Sequence, residues 1–150
     1  MISTMAHGFS ISMRTTASYR ETIQHLRAAL ARHGLEVLFE FPLLREMERR
    51  AGLPWAQLGM NWKHYTVLLV WSPSDACPAL LSGHDGGLLV PFKICIAEGK
   101  DATFILADNP AGVVKVTASL GAQTLARDQT HRIRNVFSEL VPQNGVANAV

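Results

Sequence analysis

At 150 residues, 48% of them hydrophobic and 17% charged, the chain is long enough to bury a full core and too short for two ordinary domains. Whole-chain disorder is excluded, and neither a disulfide framework nor a structural metal is needed to complete the fold. Fourteen basic residues against 12 acidic ones leave a net charge of +2, too weak a field for nonspecific binding to nucleic acid or a membrane surface.

One domain over 1–150 is expected, its core at about 7–140 and a frayed polar tail at 143–150. No basic stretch followed by an apolar run opens the sequence, and no window approaches about 18 consecutive apolar residues, so a cytoplasmic location is expected. Cys77 and Cys95 lack a CxxC spacing and read as small buried hydrophobes.

His7–Met13 alternates weakly and reads as a first strand. Ser18 and Glu21 then form an S-x-x-E capping box. Tyr19, Ile23, Leu26 and Leu30 continue at helical spacing, and Gly34 can take the left-handed position after a helix ending near His33. Leu35, Val37, Phe39 and Phe41 alternate as a half-buried strand stopped by Pro42, and Leu43–Arg50 is a short amphipathic helix. A Gly- and Pro-broken loop carrying Trp55 and Trp62 leads to His64–Trp71, apolar on both faces and therefore an interior strand.

Ser74 can cap a helix to Leu81 with Pro78 in its first turn. Gly83, Gly86 and Gly87 release the chain into a strand over Leu88–Glu98, which a two-residue type II′ turn at Gly99-Lys100 joins to Asp101–Asp108. Leu125, Ile133, Val136, Phe137 and Leu140 give a long C-terminal helix its apolar side. The order β-α-β-(α)-β-α-β-β-α implies an α+β fold: a largely antiparallel five-stranded sheet with helices on one face.

Several of these stretches, taken in order, resemble the domain of unknown function 302 (DUF302) family over about 7–140. They are the capped helix running into Gly34-Leu35-Glu36-Val37, then Trp71-Ser72-Pro73, Gly87-Leu88-Leu89-Val90-Pro91-Phe92-Lys93-Ile94, and Asp108-Asn109-Pro110. The resemblance implies a small α+β domain of the TATA-binding-saddle fold class with a tendency to form homodimers. It implies no particular activity, because function belongs to the site and not the scaffold. The departures matter: family members carry Cys-Asn-Pro where this chain has Trp71-Ser72-Pro73, and Leu-Pro-Cys-Asn where it has Val90-Pro91-Phe92-Lys93. A thiol or thiolate-metal role at those positions cannot operate here.

Among chemistry-bearing residues, His64, His84, Asp85, Asp108 and His131 lack metal-ligand spacing, and no metal or other cofactor is expected. Gly83–Gly87 precedes a strand, whereas phosphate loops follow one, so it reads as a turn. Arg127, His131, Arg132 and Arg134 could meet phosphates but lack a stacking aromatic, and a solvated helix face is the plainer reading. Lys93 is a lone cation in an apolar run: either a pocket lysine, or an edge-strand lysine beside Pro91 that blocks sheet pairing.

The leading reading is a homodimeric module that binds a small, partly apolar molecule or a protein partner without bond-making chemistry. Its ligand site is expected at the sheet end where Trp71 and Phe92 approach, with Lys93 or His64 as polar neighbours. An enzyme using Lys93 with His64 or Asp108, and a purely structural or assembly protein, are the alternatives.

Overall fold

The computed structural model describes residues 5–8, 10–84, 86–114 and 119–141, the side chains of Met5–His7, Trp55 and Val113 excepted. Its strands are β1 (Met5–His7), β2 (Ser10–Thr15), β3 (Glu36–Pro42), β4 (His64–Trp71), β5 (Phe92–Glu98) and β6 (Thr103–Asp108). Its helices are α1 (Tyr19–Arg32), α2 (Leu43–Ala51), α3 (Pro73–Leu81), α4 (Pro110–Val114) and α5 (Leu120–Glu139). All strand pairs are antiparallel, in the order β1-β2-β6-β5-β4-β3. Five strands correspond to those expected from the sequence, and β1 adds a three-residue edge.

The strand register sorts the side chains into two faces. Ile11, Met13, Ile105, Ala107, Ile94, Ile96, Leu68 and Val70 are buried on one face, where they pack with Leu26 and Leu30 of α1 and Ile133, Val136 and Phe137 of α5. This is the expected layer of helices on one side of the sheet. The other face carries Phe39, Phe41, Val67, Leu69, Trp71, Lys93 and Cys95, with Phe39 56% exposed. Only part of it is roofed: Trp62, in the loop before β4, sets its ring edge-on to Tyr65 and Phe104.

Local chemistry shapes the connections. The capping box at α1 forms as read: Ser18 Oγ accepts from the Glu21 N–H at 3.2 Å, and Glu21 accepts from the Ser18 N–H at 3.1 Å. Gly34 follows α1 with φ of +69°, the left-handed conformation that glycine adopts without a Cβ clash. Gly86 is required for closeness instead, since a Cβ there would lie 1.6 Å from the Ala79 carbonyl oxygen. Asp85, beside it, lies outside the described residues.

Several expectations need correction. β5 begins at Phe92 because Gly86–Leu88 forms a single 3-10 turn. Ser72, not Ser74, is the N-cap of α3, which leaves Pro78 within the helix beyond its first turn. The hairpin tip is Lys100-Asp101, since the Gly99 N–H donates to Ala102 O at 2.9 Å; Gly99 has no positive φ, so the turn is not the expected II′ form. A bulge between Val37 and Phe39 sends Val37 to the helical face and Phe39 and Phe41 to the open one, splitting the single apolar face read from alternation. Cys77 is exposed, because α3 buries Asp75 and Ala79 on its opposite side, and Cys95 is only half-buried.

Candidate functional site

At the end of the sheet where α1 begins, a pocket of about 400 Å³ opens between α1, α2 and β4. Ile23, Pro42 and Leu44 give it an apolar wall, Tyr19, His64 and Thr66 bring polar atoms to it, and Glu40, Arg45, Glu48 and Lys63 add charges of both signs. Register builds the polar side: β4–β5 pairing sets His64 opposite Glu98, and their side chains meet at 2.5 Å between Nδ1 and Oε2. An ionised carboxylate can only accept, so Nδ1 carries the proton, and in the neutral ring Nε2 keeps its lone pair.

Tyr19, the first residue of α1, stacks on the imidazole with ring centroids 4.9 Å apart and planes 20° from parallel. Its hydroxyl hydrogen-bonds Thr66, which is buried. Burial pushes the phenol pKa up, the Thr66 hydrogen bond pulls it down in part, and the carboxylates of Glu40 and Glu98 raise it further. Tyr19 therefore keeps its proton at neutral pH and serves as a polar anchor. Glu40, at the rim, is held by an ion pair with Arg27 of α1. The site thus offers an acceptor at Nε2 beside apolar surface, which suits a small amphipathic molecule bearing a hydrogen-bond donor.

The other residues singled out in the sequence lie elsewhere. Trp71 and Phe92 do stand at one end of the sheet, as antiparallel pairing requires. Phe92, however, is buried on the helical face, whereas Trp71 lies on the open face and donates through Nε1 to Glu36 at 3.1 Å. They are not two walls of one cavity. Lys93 shares the open face with Trp71 and is exposed, and β5 is interior to the sheet, so Lys93 is neither a pocket lysine nor an edge guard. Its backbone N–H donates to Asp108 Oδ2 at 2.9 Å, which occupies that carboxylate structurally.

Lys93 and His64 belong to opposite ends of the β4–β5 pair, roughly 17 Å apart at the rise of extended strands. They therefore do not form a catalytic pair. Cys95, between them on the open face, has its thiol pKa pushed up by burial, which suits an unreactive side chain. The Glu98 contribution escaped sequence reading because it lies 34 residues from His64 and is identified only by register. Arg132 turns inward to Asp75 at 2.5 Å, while Arg127, His131 and Arg134 line a groove beside α4.

Among the described residues no helix is long and apolar enough to cross a membrane. No curated protein matches the sequence. The crystal structure of an uncharacterized conserved DUF302 protein from Bacillus stearothermophilus superposes with a TM-score of 0.77 at 20% identity, covering 88% of this chain and 98% of that one. Similarity at that identity speaks for the fold alone. The family described as domain of unknown function DUF302 matches residues 11–140, most of the chain, and the chain belongs to the DUF302 family.

Proposed function

We propose that the chain is a homodimeric module that binds a small, partly apolar molecule in the pocket at His64 without catalysing a reaction on it. The observation that carries this reading is the exposed His64–Glu98 hydrogen bond beside a pocket lined by Ile23, Pro42 and Leu44 together with Glu40, Arg45, Glu48 and Lys63. The carboxylate fixes the ring tautomer and presents one acceptor, and Ile23, Pro42 and Leu44 supply the apolar contact. Binding needs only such concavity and a few fixed polar groups, whereas catalysis needs titratable groups that converge. Of the two partners that an enzyme built on Lys93 would use, His64 is at the far end of the sheet, and Asp108 accepts from the Lys93 backbone N–H.

A second copy of the chain is the cover proposed for the open sheet face. Six strands about 4.8 Å apart and three to eight residues long present a footprint of roughly 600 Å², of the order of the roughly 800 Å² that each partner contributes to a standard interface. Its centre is apolar at Phe41, Val67 and Leu69, and both charge signs are present at Lys93 and Glu36. Two-fold symmetry makes such a mixed patch self-complementary.

A thermal-shift screen of small amphipathic hydrogen-bond donors tests the binding site. Stabilisation of the wild type should be lost in His64→Ala and retained in Trp71→Ala. A hit that survives His64→Ala would move the site away from this pocket, and the absence of any hit would favour protein-partner binding or an assembly role.

A further inference from the structure

A second concavity, of about 630 Å³, lies between α4 and α5 on the far side of α5 from α3. Arg127, His131 and Arg134 follow one another along α5 at i, i+4 and i+7, so they form one stripe, and all three are exposed along the groove. From this geometry we infer that the groove is an anion site for a small organic phosphate, independent of the pocket at His64.

The distribution of charge singles this stripe out. Of the other eight arginines, Arg27 is neutralised by Glu40, Arg32 by Glu139, Arg49 and Arg50 by Glu46, and Arg132 by Asp75, while Arg14, Arg20 and Arg45 are scattered singly over β2, α1 and α2. Among the described residues neither Arg127 nor Arg134 has an ion-pair partner, and α4, of sequence PAGVV, brings no acid to the opposite wall. Arg127 and Arg134 stand two turns apart on one face of α5, and a bound dianion would neutralise both.

Donor chemistry then narrows the ligand. Two guanidinium groups can each give a forked pair of N–H bonds to phosphate oxygens, with the Gln123 amide beside them. The Thr130 hydroxyl has spent its proton on Ala126 O at 2.8 Å, so it cannot donate to the anion. Ala111, Val114 and Ala126 line the rest of the groove and give an apolar flank, which fits the organic half of a phosphate monoester. Among the described residues the lining holds no aromatic ring on which a base could stack, so the site suits a compact monoester and not a nucleic acid.

Isothermal titration with phenyl phosphate, at constant ionic strength, provides the test. Saturable binding at or below about 1 mM is expected for the wild type. Arg127→Gln and Arg134→Gln should each weaken it about tenfold, the loss expected for a charged hydrogen bond, while Arg45→Gln on α2 should leave it unchanged. Both replaced side chains are exposed, and an unaltered circular dichroism spectrum will show that folding is intact. Absence of saturable binding, or affinity unchanged in Arg127→Gln and Arg134→Gln, would overturn the assignment. Equal affinity for inorganic phosphate would overturn its apolar half.

Discussion

His64 and Glu98 face one another across the β4–β5 register, and the carboxylate accepts from the imidazole Nδ1–H at 2.5 Å. Proton-detected ¹⁵N spectra of the imidazole should therefore show a protonated Nδ1 and a bare Nε2 in the neutral ring. Glu98→Leu removes the acceptor, and the ring should then populate the Nε2–H form. If wild type and Glu98→Leu gave the same tautomer, Glu98 would not be the residue that orients His64.

Gly86 tests the close approach of the 3-10 turn to the end of α3. Gly86→Ala would drive a Cβ into the Ala79 carbonyl at 1.6 Å, and moving backbone that far should cost about 3 kcal/mol. Gly99→Ala makes a milder control, because its nearest contacts would be at 3.3 Å. Urea unfolding should show a large fall in midpoint for the first and a small one for the second.

The ion pair between α3 and α5 is a second structural test. Asp75 is 5% exposed, and it accepts from Arg132 at 2.5 Å. Arg132→Met leaves a buried carboxylate without its cation and should cost about 3 kcal/mol or more. Adding Asp75→Leu removes the stranded charge, so the double variant should be more stable than Arg132→Met alone. Chemical denaturation of the wild type, both single variants and the double variant gives the coupling directly.

Acid stability should respond to Glu46. Hydrogen bonds from Arg49 and Arg50, followed by their charge, lower its carboxyl from 4.5 to about 2. A carboxyl depressed in the folded state stabilises the fold above its unfolded pKa, and that contribution fades as pH falls through the folded value. The contribution should thus disappear between pH 4.5 and about 2. Glu46→Gln should flatten that part of the thermal-midpoint profile, and an unchanged slope would show that the α2 ion pairs do not couple to folding.

Local chemistry was legible in the sequence wherever neighbours in the chain decide the outcome. Ser18 and Glu21 could be read as a capping box because both partners lie within one turn. Alternation and antiparallel pairing likewise placed Trp71 and Phe92 at one sheet end. Facing was lost where a single residue shifts the count, as at the bulge after Val37, or where a turn slides by one, as at Gly99. Pro91 suggested an edge strand, yet it precedes β5, so it removes no ladder hydrogen bond and Lys93 sits on an interior strand. The pocket was invisible because Tyr19, His64 and Glu98 are joined by tertiary register, not by any motif.

The claim on which the functional account depends most is that a second copy covers the open sheet face. Light scattering at micromolar concentration measures it directly. The wild type should give about twice the 16.4 kDa chain mass, and Phe39→Glu, which places a charge on an exposed position of that face, should give the single-chain mass with the fold retained. A wild-type mass of one chain, or a dimer indifferent to Phe39→Glu and Leu69→Glu alike, would contradict the account.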